Sequence, residues 1–271
     1  MTSFIAWRAG GKGRPASLYF ASDSRRSWKT GETRDDCIKL FAPANSPDIF
    51  GMVGEDITLP ERLLPELCDA MDNGVAPLDQ MTSAYGRNDW VKNEIQGHIT
   101  KEHGCFDVFH GARNHCGNKA VFVVFHLQYL ASEGRLKSSE IDLPGKGSCA
   151  IAVQGSGAGS IRSHLQLWTE QVGKYSRSYF SGFCDALRNP EADPLSGGPP
   201  QLIALGNSGR PLHLGIVSAI GRFYRGRLVL DTPQGVKWRN DQFEVVDSQG
   251  RLLNQAQPQP RPRSLPPHSS G

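Results

Sequence analysis

The sequence predicts an α+β protein in which two antiparallel sheets are stacked between two layers of helices. Short apolar runs bounded by glycine and proline are typical of β-strands, and apolar residues spaced three and four apart indicate helices. Along the chain a block of strands alternates with a pair of helices twice, and a last block of strands follows. Each helix pair can then cover one face of a sheet, which gives a four-layer αββα sandwich.

The first strands form the hairpin on which the functional prediction depends. Strands are expected over residues 3 to 9 and 17 to 22, and the glycine-rich segment between them suits a tight reversal. This antiparallel pairing places Thr2 and Asp23 at the same end of neighbouring strands. Residues 37 to 41 and 48 to 54 are two further short strands, and the four early strands are expected to form one central antiparallel sheet.

Four helices are expected from the spacing of apolar side chains. The first carries Leu63, Leu64, Leu67, Cys68 and Met71; the second runs from Asn88 to His103; the third carries Ile161, Leu165, Trp168 and Val172; the fourth carries Tyr179, Phe180, Phe183 and Leu187. Later strands are expected at 106–110, 120–127, 149–153, 201–205, 214–217, 227–230 and 243–246.

Composition limits the classes of function. The chain has 271 residues, 38% of them hydrophobic, with a formal net charge of +3 and scattered basic residues, so no nucleic-acid partner is expected. Six dispersed cysteines and no charged-then-apolar leader favour a cytoplasmic location, and no apolar run is long enough to span a membrane. One domain is expected over residues 2–252, followed by a proline-rich disordered tail over 253–271.

Thr2 is a candidate nucleophile. Initiator methionine is normally trimmed before a small second residue, so Thr2 would carry a free α-amine and a hydroxyl on adjacent carbons. An α-amine titrates near pH 8 when unperturbed, so a usable fraction is neutral at pH 7 and can accept the hydroxyl proton, directly or through one water. The residue thus combines a nucleophile with its own base.

Five motifs in order resemble the proteasome β-subunit and bacterial proteasome-like peptidase family, which belongs to the N-terminal-nucleophile hydrolases. They are the leading Thr2, the sequence Ala21-Ser22-Asp23-Ser24-Arg25 with Lys39 sixteen positions after Asp23, the strand Gly51-Met52-Val53-Gly54, the turn Gly155-Ser156-Gly157, and the turn Asp193-Pro194-Leu195-Ser196-Gly197-Gly198. The resemblance covers residues 2 to 230. It departs from the family in its longer first hairpin, in Ser3, where a second threonine is common, and over 106–148, which match only in pattern.

The resemblance implies a threonine-type hydrolase that cleaves peptide bonds without a cofactor or metal. It implies that Lys39, held by Asp23, favours the ionised hydroxyl and disfavours a protonated amine. The N–H of Gly51 would donate to the oxyanion. Other roles are implied around these residues: Ser156, Asp193 and Ser196 orient the α-amine, Val53 shapes a pocket for apolar or moderate-sized side chains, and Arg25 belongs to the substrate-binding region.

The implied partners are a peptide or unfolded-protein substrate and further copies of the chain in a ring. Family members often take substrate from an ATPase, so an ATPase is a candidate partner. Two alternatives stay open within the same fold: a non-proteolytic amidase, and a ring-forming subunit without catalysis, which an unremoved Met1 would produce.

A metal site is a separate alternative. Histidines and cysteines concentrate in one stretch of the chain, at His98, His103, Cys105, His110, His115 and Cys116. Their spacing lacks the paired Cys-x-x-Cys or His-x-x-x-His pattern of zinc sites, so the sequence favours the hydrolase interpretation.

Overall fold

The protein is a mixed α+β chain in the computed structural model, which describes residues 2–11, 14–28, 30–116, 119–144, 147–189, 193–231, 233–253 and 260–263. The described strands are β1 Ser3–Gly11, β2 Arg14–Ser22, β3 Arg26–Ser27, β4 Thr33–Arg34, β5 Leu40–Phe41, β6 Asp48–Gly54, β7 Phe106–Cys116, β8 Lys119–Leu130, β9 Arg135–Ile141, β10 Cys149–Gly155, β11 Gln201–Gly206, β12 Leu212–Ser218, β13 Gly221–Tyr224, β14 Arg227–Leu228, β15 Trp238–Asn240 and β16 Val245–Val246. The described helices are α1 Thr58–Asp72, α2 Leu78–Met81, α3 Ala84–His98, α4 Ala158–Gln171 and α5 Ser176–Arg188.

Two main sheets organise these strands. The larger has the order β10-β1-β2-β11-β12-β13-β14, with β15 and β16 joined at its side, and the smaller has the order β5-β6-β7-β8-β9. Their pairings are antiparallel, except that β12 and β15 run parallel. The predicted hairpin of β1 and β2 is confirmed, with Phe4 opposite Ser22.

Apolar side chains between β1–β2 and β6–β7 form a buried cluster that joins the two sheets. Phe4 stacks on Phe109 with ring centroids 4.6 Å apart, and Leu18, Phe20 and Ile49 lie in the same cluster. All five side chains are fully buried, and burying a side chain of this size contributes about 1.5–3 kcal/mol. This packing holds the start of β1 rigidly over the smaller sheet.

The helices cover the sheets in two pairs. The α1 and α3 side chains Leu63, Leu64 and Val91 share a cluster with Val108 and Leu127 of the smaller sheet. A second cluster, on the larger sheet, combines Ile161 and Leu165 of α4 and Phe180 and Phe183 of α5 with Ile5 and Trp7 of β1. The predicted helix pairs are therefore confirmed as elements of an α+β protein.

Several predicted boundaries were wrong for local reasons. The second predicted helix begins at Ala84 because Ser83 Oγ accepts a hydrogen bond from Gly86 N–H at 3.0 Å, and it ends at His98 because Ile99 is extended. The strand predicted over 37–41 is only Leu40–Phe41. The polar, largely exposed edge strand β9 was not predicted, because its sequence shows no apolar alternation.

The four early strands do not form one central sheet, contrary to the prediction. The pair β1 and β2 belongs to the larger sheet, whereas β5 and β6 begin the smaller one. Hairpin order along the chain cannot distinguish these cases, because the segment between β2 and β5 is long enough to cross from one sheet to the other.

A buried charged network ties α3 to the smaller sheet. The carboxylate of Asp48 accepts hydrogen bonds from Arg87 Nε at 2.9 Å and from the His110 ring at 2.8 Å, and Ser46 also contacts it. Burial opposes ionisation of Asp48, but the hydrogen bond from His110 and the charge of Arg87 outweigh burial and lower the pKa of this carboxyl. The charged form of Asp48 therefore stabilises the fold.

We expect Asp48→Asn to lower the free energy of unfolding at pH 7 by about 3 kcal/mol, because it leaves the buried Arg87 charge uncompensated. A carboxyl with a lowered folded pKa contributes stability above its unfolded pKa of about 4 and loses it as pH falls through the folded value. Urea unfolding between pH 7 and pH 2 should therefore show the gap between wild type and variant closing in acid. As a control, Asp36→Asn, in the exposed pair with Arg34, should lower the free energy of unfolding by about 1 kcal/mol or less. A stability difference between wild type and Asp48→Asn that does not change with pH would contradict the role of the charged Asp48.

Among the described residues, no helix has the length and apolar character needed to cross a membrane. The predicted tail lies mostly outside the described residues, at 254–259 and 264–271. Residues 260–263 are described, and Arg263 N–H there donates to Gln171 Oε1 at the end of α4, at 2.8 Å.

Candidate active site

Asp23 follows β2 directly and connects three parts of the chain. Its fully buried carboxylate accepts four hydrogen bonds. Oδ1 accepts from Ser3 N–H at 3.0 Å and from Lys39 Nζ at 2.6 Å, while Oδ2 accepts from Gly197 N–H at 3.1 Å and Arg25 N–H at 3.3 Å. The start of β1, the segment before β5 and the turn before β11 therefore meet at one side chain.

Lys39 is fully buried and aimed at the start of β1. Its Nζ donates to Asp23 Oδ1 and, at 2.5 Å, to the carbonyl oxygen of Arg25. Because Asp23 Oδ1 also accepts from Ser3 N–H, the ammonium group is held next to the first residues of β1. A lysine with no exposed surface is rare unless it is paired, and here its partner Asp23 also binds the start of β1.

Thr2 directly precedes Ser3, the residue whose N–H binds Asp23. The residue has no exposed surface, and within the described part of the chain its Oγ1 is a buried polar atom without a hydrogen-bond partner. A buried hydroxyl that leaves its hydrogen bonds unmade costs about 1–3 kcal/mol, so its retention calls for an explanation. Of the predicted trio, Asp23 and Lys39 are in direct contact, and Thr2 is joined to them through Ser3, whose N–H binds the same Asp23 oxygen.

The turn containing Ser156 packs against the start of β1. Gly155 has φ +96°, and a Cβ built there would lie 1.7 Å from the carbonyl oxygen of Thr2. A Cβ on Gly157 would lie 2.0 Å from Ser3 Oγ and 3.1 Å from Ser196 Oγ. Only glycine fits at either position, and these glycines allow the turn to lie directly on Thr2 and Ser3.

The predicted residues Ser156, Asp193 and Ser196 form one polar group beside Ser3. Ser196 Oγ donates to Asp193 Oδ2 at 2.6 Å, and the hydroxyls of Ser156 and Ser196 are 3.4 Å apart. Asp193 Oδ1 also accepts from Leu195 N–H at 3.0 Å, which fixes the turn. Six of the predicted catalytic residues thus lie within one connected region.

Arg25 lies in this region but contacts protein rather than open space. Its Nε and Nη2 donate to the two carboxylate oxygens of Asp35 at 2.8 and 2.9 Å, and its Nη1 donates to the carbonyl oxygen of Pro194 at 3.1 Å. The hydrogen bond to Asp35 raises the pKa of Arg25 further. The guanidinium therefore braces the turn around Ser196, and a substrate contact for Arg25 stays a prediction.

Gly51 and Val53 are buried within strand β6 of the smaller sheet. Gly51 is paired with Leu40 and Phe109, and a Cβ built on it would lie 2.4 Å from the Phe4 ring. Met52 N–H donates to the carbonyl oxygen of Lys39, and successive N–H groups of a strand point to opposite neighbours, so Gly51 N–H faces β7. An oxyanion role for Gly51 would require this ladder to open. Val53 is 4% exposed in the central apolar cluster, and its pocket role also stays a prediction.

An open cleft borders the site. It has a volume of about 510 Å³ and is lined by Arg26, Ser27, Trp28, Gly31, Glu55, Asp56, Ile57, Thr58 and Leu195. Two of these residues are neighbours of site residues in the chain: Arg26 follows Arg25, and Leu195 precedes Ser196. The cleft is therefore a space beside the site into which a substrate chain can bind.

Cys37 is a second nucleophilic side chain near Lys39, but its chemistry is suppressed. Burial raises the pKa of the Cys37 thiol to about 12, so the reactive thiolate is scarce at neutral pH. Its Sγ lies 3.5 Å from Glu61 Oε1. Of the two nucleophile types near the ammonium group, the hydroxyl is the better candidate.

Two residues that contact the site, Asp35 and Gln201, were not predicted from the sequence. Asp35 binds Arg25, and Gln201 contacts the backbone on both sides of the Asp23–Lys39 pair. The proximity of Asp35 to Arg25 in an otherwise polar loop was a weak signal. Nothing in the sequence distinguishes Gln201 from an ordinary polar residue at the start of a strand.

The alternative metal site is not assembled among the described side chains, and the side chains of His115 and Cys116 lie outside them. No group of three or more His, Cys, Asp or Glu side chains is placed there to hold a metal ion. His110 instead contacts Asp48 and Asn88 in the buried network, and His103 Nδ1 accepts from Thr100 N–H.

Comparison with protein-family models finds none that matches this chain, and comparison with curated proteins finds no match. The resemblance to the proteasome-like peptidases therefore depends on the motifs and on the geometry described above.

Proposed function

We propose that the protein is a threonine-type N-terminal-nucleophile hydrolase that cleaves peptide bonds with Thr2 after removal of Met1. One observation carries the proposal: Asp23 Oδ1 binds both Lys39 Nζ and the N–H of Ser3, the residue after Thr2, and the buried Thr2 hydroxyl has no partner among the described residues. A positive charge near a hydroxyl favours its ionised form, and the proposal assigns this role to Lys39.

The reaction proposed has two stages. Thr2 Oγ attacks the substrate carbonyl carbon while its proton passes to the α-amine of the same residue, and Lys39 stabilises the developing charge. Collapse of the tetrahedral intermediate breaks the C–N bond, and the leaving amine takes up the proton. Water then attacks the resulting ester and restores Thr2. Ser156, Asp193 and Ser196, which flank Ser3, would orient the α-amine.

The proposal assigns the oxyanion donor to Gly54 rather than to Gly51. Its N–H points to the same side of β6 as that of Met52, toward the segment of Lys39, and Gly54 is the last residue of the strand, where the ladder ends. Gly51, the donor implied by the resemblance, has its N–H directed into the sheet. An oxyanion donor of this type contributes about 3–4 kcal/mol to transition-state stabilisation.

The cleft beside the site supports a chain-like substrate rather than a small amide alone. It extends from Leu195 past Trp28, whose indole is 39% exposed and lies under the Arg26 guanidinium at 5.2 Å. An exposed aromatic face next to backbone from two loops is suited to binding a peptide. This feature favours a peptidase over the non-proteolytic amidase.

The proposal also includes the fold, the assembly, the partner and the location that the resemblance implies. Two helix pairs on two joined sheets support the four-layer αββα sandwich of N-terminal-nucleophile hydrolases, with one domain over residues 2–252. Assembly into a homo-oligomeric ring, an ATPase partner and a cytoplasmic location are parts of the proposal that the resemblance alone supplies.

The test begins with the intact mass of the purified protein. We expect a mass without Met1, because Thr2 is small; retention of Met1 would leave no free amine at Thr2 and would favour the silent-subunit alternative. A peptide epoxyketone, which reacts with an amino-terminal hydroxyl amine, should then modify the N-terminal peptide and no other peptide. Processed protein that fails to react at Thr2 would refute the proposal.

A further inference from the structure

Gln201 is the first residue of β11 and occupies the space behind the Asp23–Lys39 pair. Its side chain is 2% exposed, and all its hydrogen-bonding atoms are engaged. The amide nitrogen Nε2 donates to the carbonyl oxygens of Asp23 at 3.0 Å and Cys37 at 2.8 Å, and it contacts Ser24 Oγ at 3.1 Å. The amide oxygen Oε1 accepts from Lys39 N–H at 3.1 Å.

These contacts close a ring around the ion pair. The side chains of Asp23 and Lys39 meet at 2.6 Å on one side, and the main chains of the same two residues meet the single Gln201 amide on the other. One backbone hydrogen bond joins the two segments directly, from Cys37 N–H to the carbonyl oxygen of Ser24 at 3.0 Å. The Gln201 amide adds three further connections to their backbones, at Asp23, Cys37 and Lys39.

The surroundings fix the amide in this position. Ser24 Oγ donates to the carbonyl oxygen of Pro199 at 2.6 Å, which orients the hydroxyl that Gln201 contacts. Gly226, with φ +77°, packs from the far side: a Cβ built there would lie 2.2 Å from Ser24 Oγ and 3.0 Å from Gln201 Cδ. Little room is left for another rotamer of Gln201.

We propose that Gln201 is a positioning residue that sets the location of the Lys39 ammonium group relative to Thr2. This inference rests on the proposed function. A neutral amide suits the task, because it offers donors to the two carbonyl groups and an acceptor to the one N–H group without adding charge. A glutamate would present an acceptor to carbonyl oxygens and place a second carboxylate near Asp23, and an asparagine would be one methylene too short to reach every partner.

The proposal predicts a split between catalysis and binding. In Gln201→Met, which keeps the side-chain length but loses the amide, we expect kcat for peptide hydrolysis to fall at least tenfold while KM stays within about twofold, since the residue does not line the cleft. The pH dependence of kcat should also shift, because the ammonium group that assists the hydroxyl and amine is no longer held in place. Gln96→Met is the matched control, since it removes a glutamine side chain that also binds backbone, at Leu136 N–H, far from Lys39 along the chain.

Hydrogen exchange gives a second readout that needs no activity. Loss of the Gln201 acceptor should accelerate exchange in a peptide covering residues 37–41 of Gln201→Met, but not of Gln96→Met. If the wild-type protein is processed but Thr2 is inert, the proposed hydrolase function fails, and exchange alone decides whether Gln201 holds Lys39. Wild-type exchange, or a wild-type kcat and pH profile in an active protein, would overturn the positioning role.

Gln201→Asn serves if Gln201→Met does not fold. The proposal expects the shorter amide to lower kcat and to accelerate exchange over residues 37–41, by less than the methionine variant would if folded. An asparagine variant with both quantities at wild-type values would refute it.

Discussion

Replacing Thr2 by alanine is expected to lower peptide hydrolysis and epoxyketone labelling by about 10³-fold or more, because the proposed nucleophile is lost. Alanine is also small, so removal of Met1 should continue and the α-amine should remain. The same variant should be as stable as wild type, or more stable by about 1 kcal/mol, since Thr2 Oγ1 is buried without a partner among the described residues. Loss of activity combined with unchanged or higher stability is the signature of a residue kept for chemistry.

Two variants make this result specific. Thr2→Ser keeps a hydroxyl next to the amine and should retain measurable labelling, whereas the exposed Thr82→Ala should match wild type in labelling and stability. Labelling is measured by mass spectrometry and unfolding by urea titration. Undiminished hydrolysis in Thr2→Ala would show that another group attacks the substrate, and a large loss of stability would show that the hydroxyl serves the fold.

The closeness of Thr2 and Asp23 could be predicted from the sequence, because it follows from the pairing of two neighbouring strands. Antiparallel pairing of two strands places the residue before the first strand beside the residue after the second, so Thr2 and Asp23 had to be close once the hairpin was accepted. The closeness of Ser156 and Ser196 was implied by the resemblance, which places both residues around the α-amine. The class α+β followed from the alternation of period-two and helical patterns.

The parts that the sequence missed depend on long-range packing. The direction of the Gly51 N–H depends on which residue of β6 is paired with Leu40, and strand register is not visible in a single apolar run. Arg25 is bound to Asp35 because a loop folds back on it. Gln201 reaches Lys39 across 162 positions of sequence, a contact that only the assembled sheet creates.

The second prediction concerns Lys39, whose replacement removes the ammonium group from the buried Asp23–Lys39 pair. In Lys39→Met the Asp23 carboxylate stays buried without its counter-charge, and breaking a buried pair costs about 3–5 kcal/mol of unfolding free energy. We expect the lower end of this range, because the N–H groups of Ser3, Arg25 and Gly197 still solvate the carboxylate. Hydrolysis and labelling should fall by about 10²–10³-fold, the size of effect seen when a preorganised electrostatic group is removed.

The control separates lost charge from lost catalysis. Lys137 forms an exposed pair with Glu133, at 2.5 Å, and Lys137→Met should change stability by about 1 kcal/mol or less and leave labelling unchanged. Lys39→Arg keeps a positive charge for Asp23 but moves its centre, so it should recover stability to a greater extent than activity. If Lys39→Met labels at the wild-type rate, the lysine only neutralises Asp23 and the hydroxyl of Thr2 must be activated by the α-amine alone. If Lys39→Met and Lys39→Arg lose stability and activity in proportion, the Asp23–Lys39 pair is structural. The proposal of catalysis at Thr2 then loses the observation on which it depends.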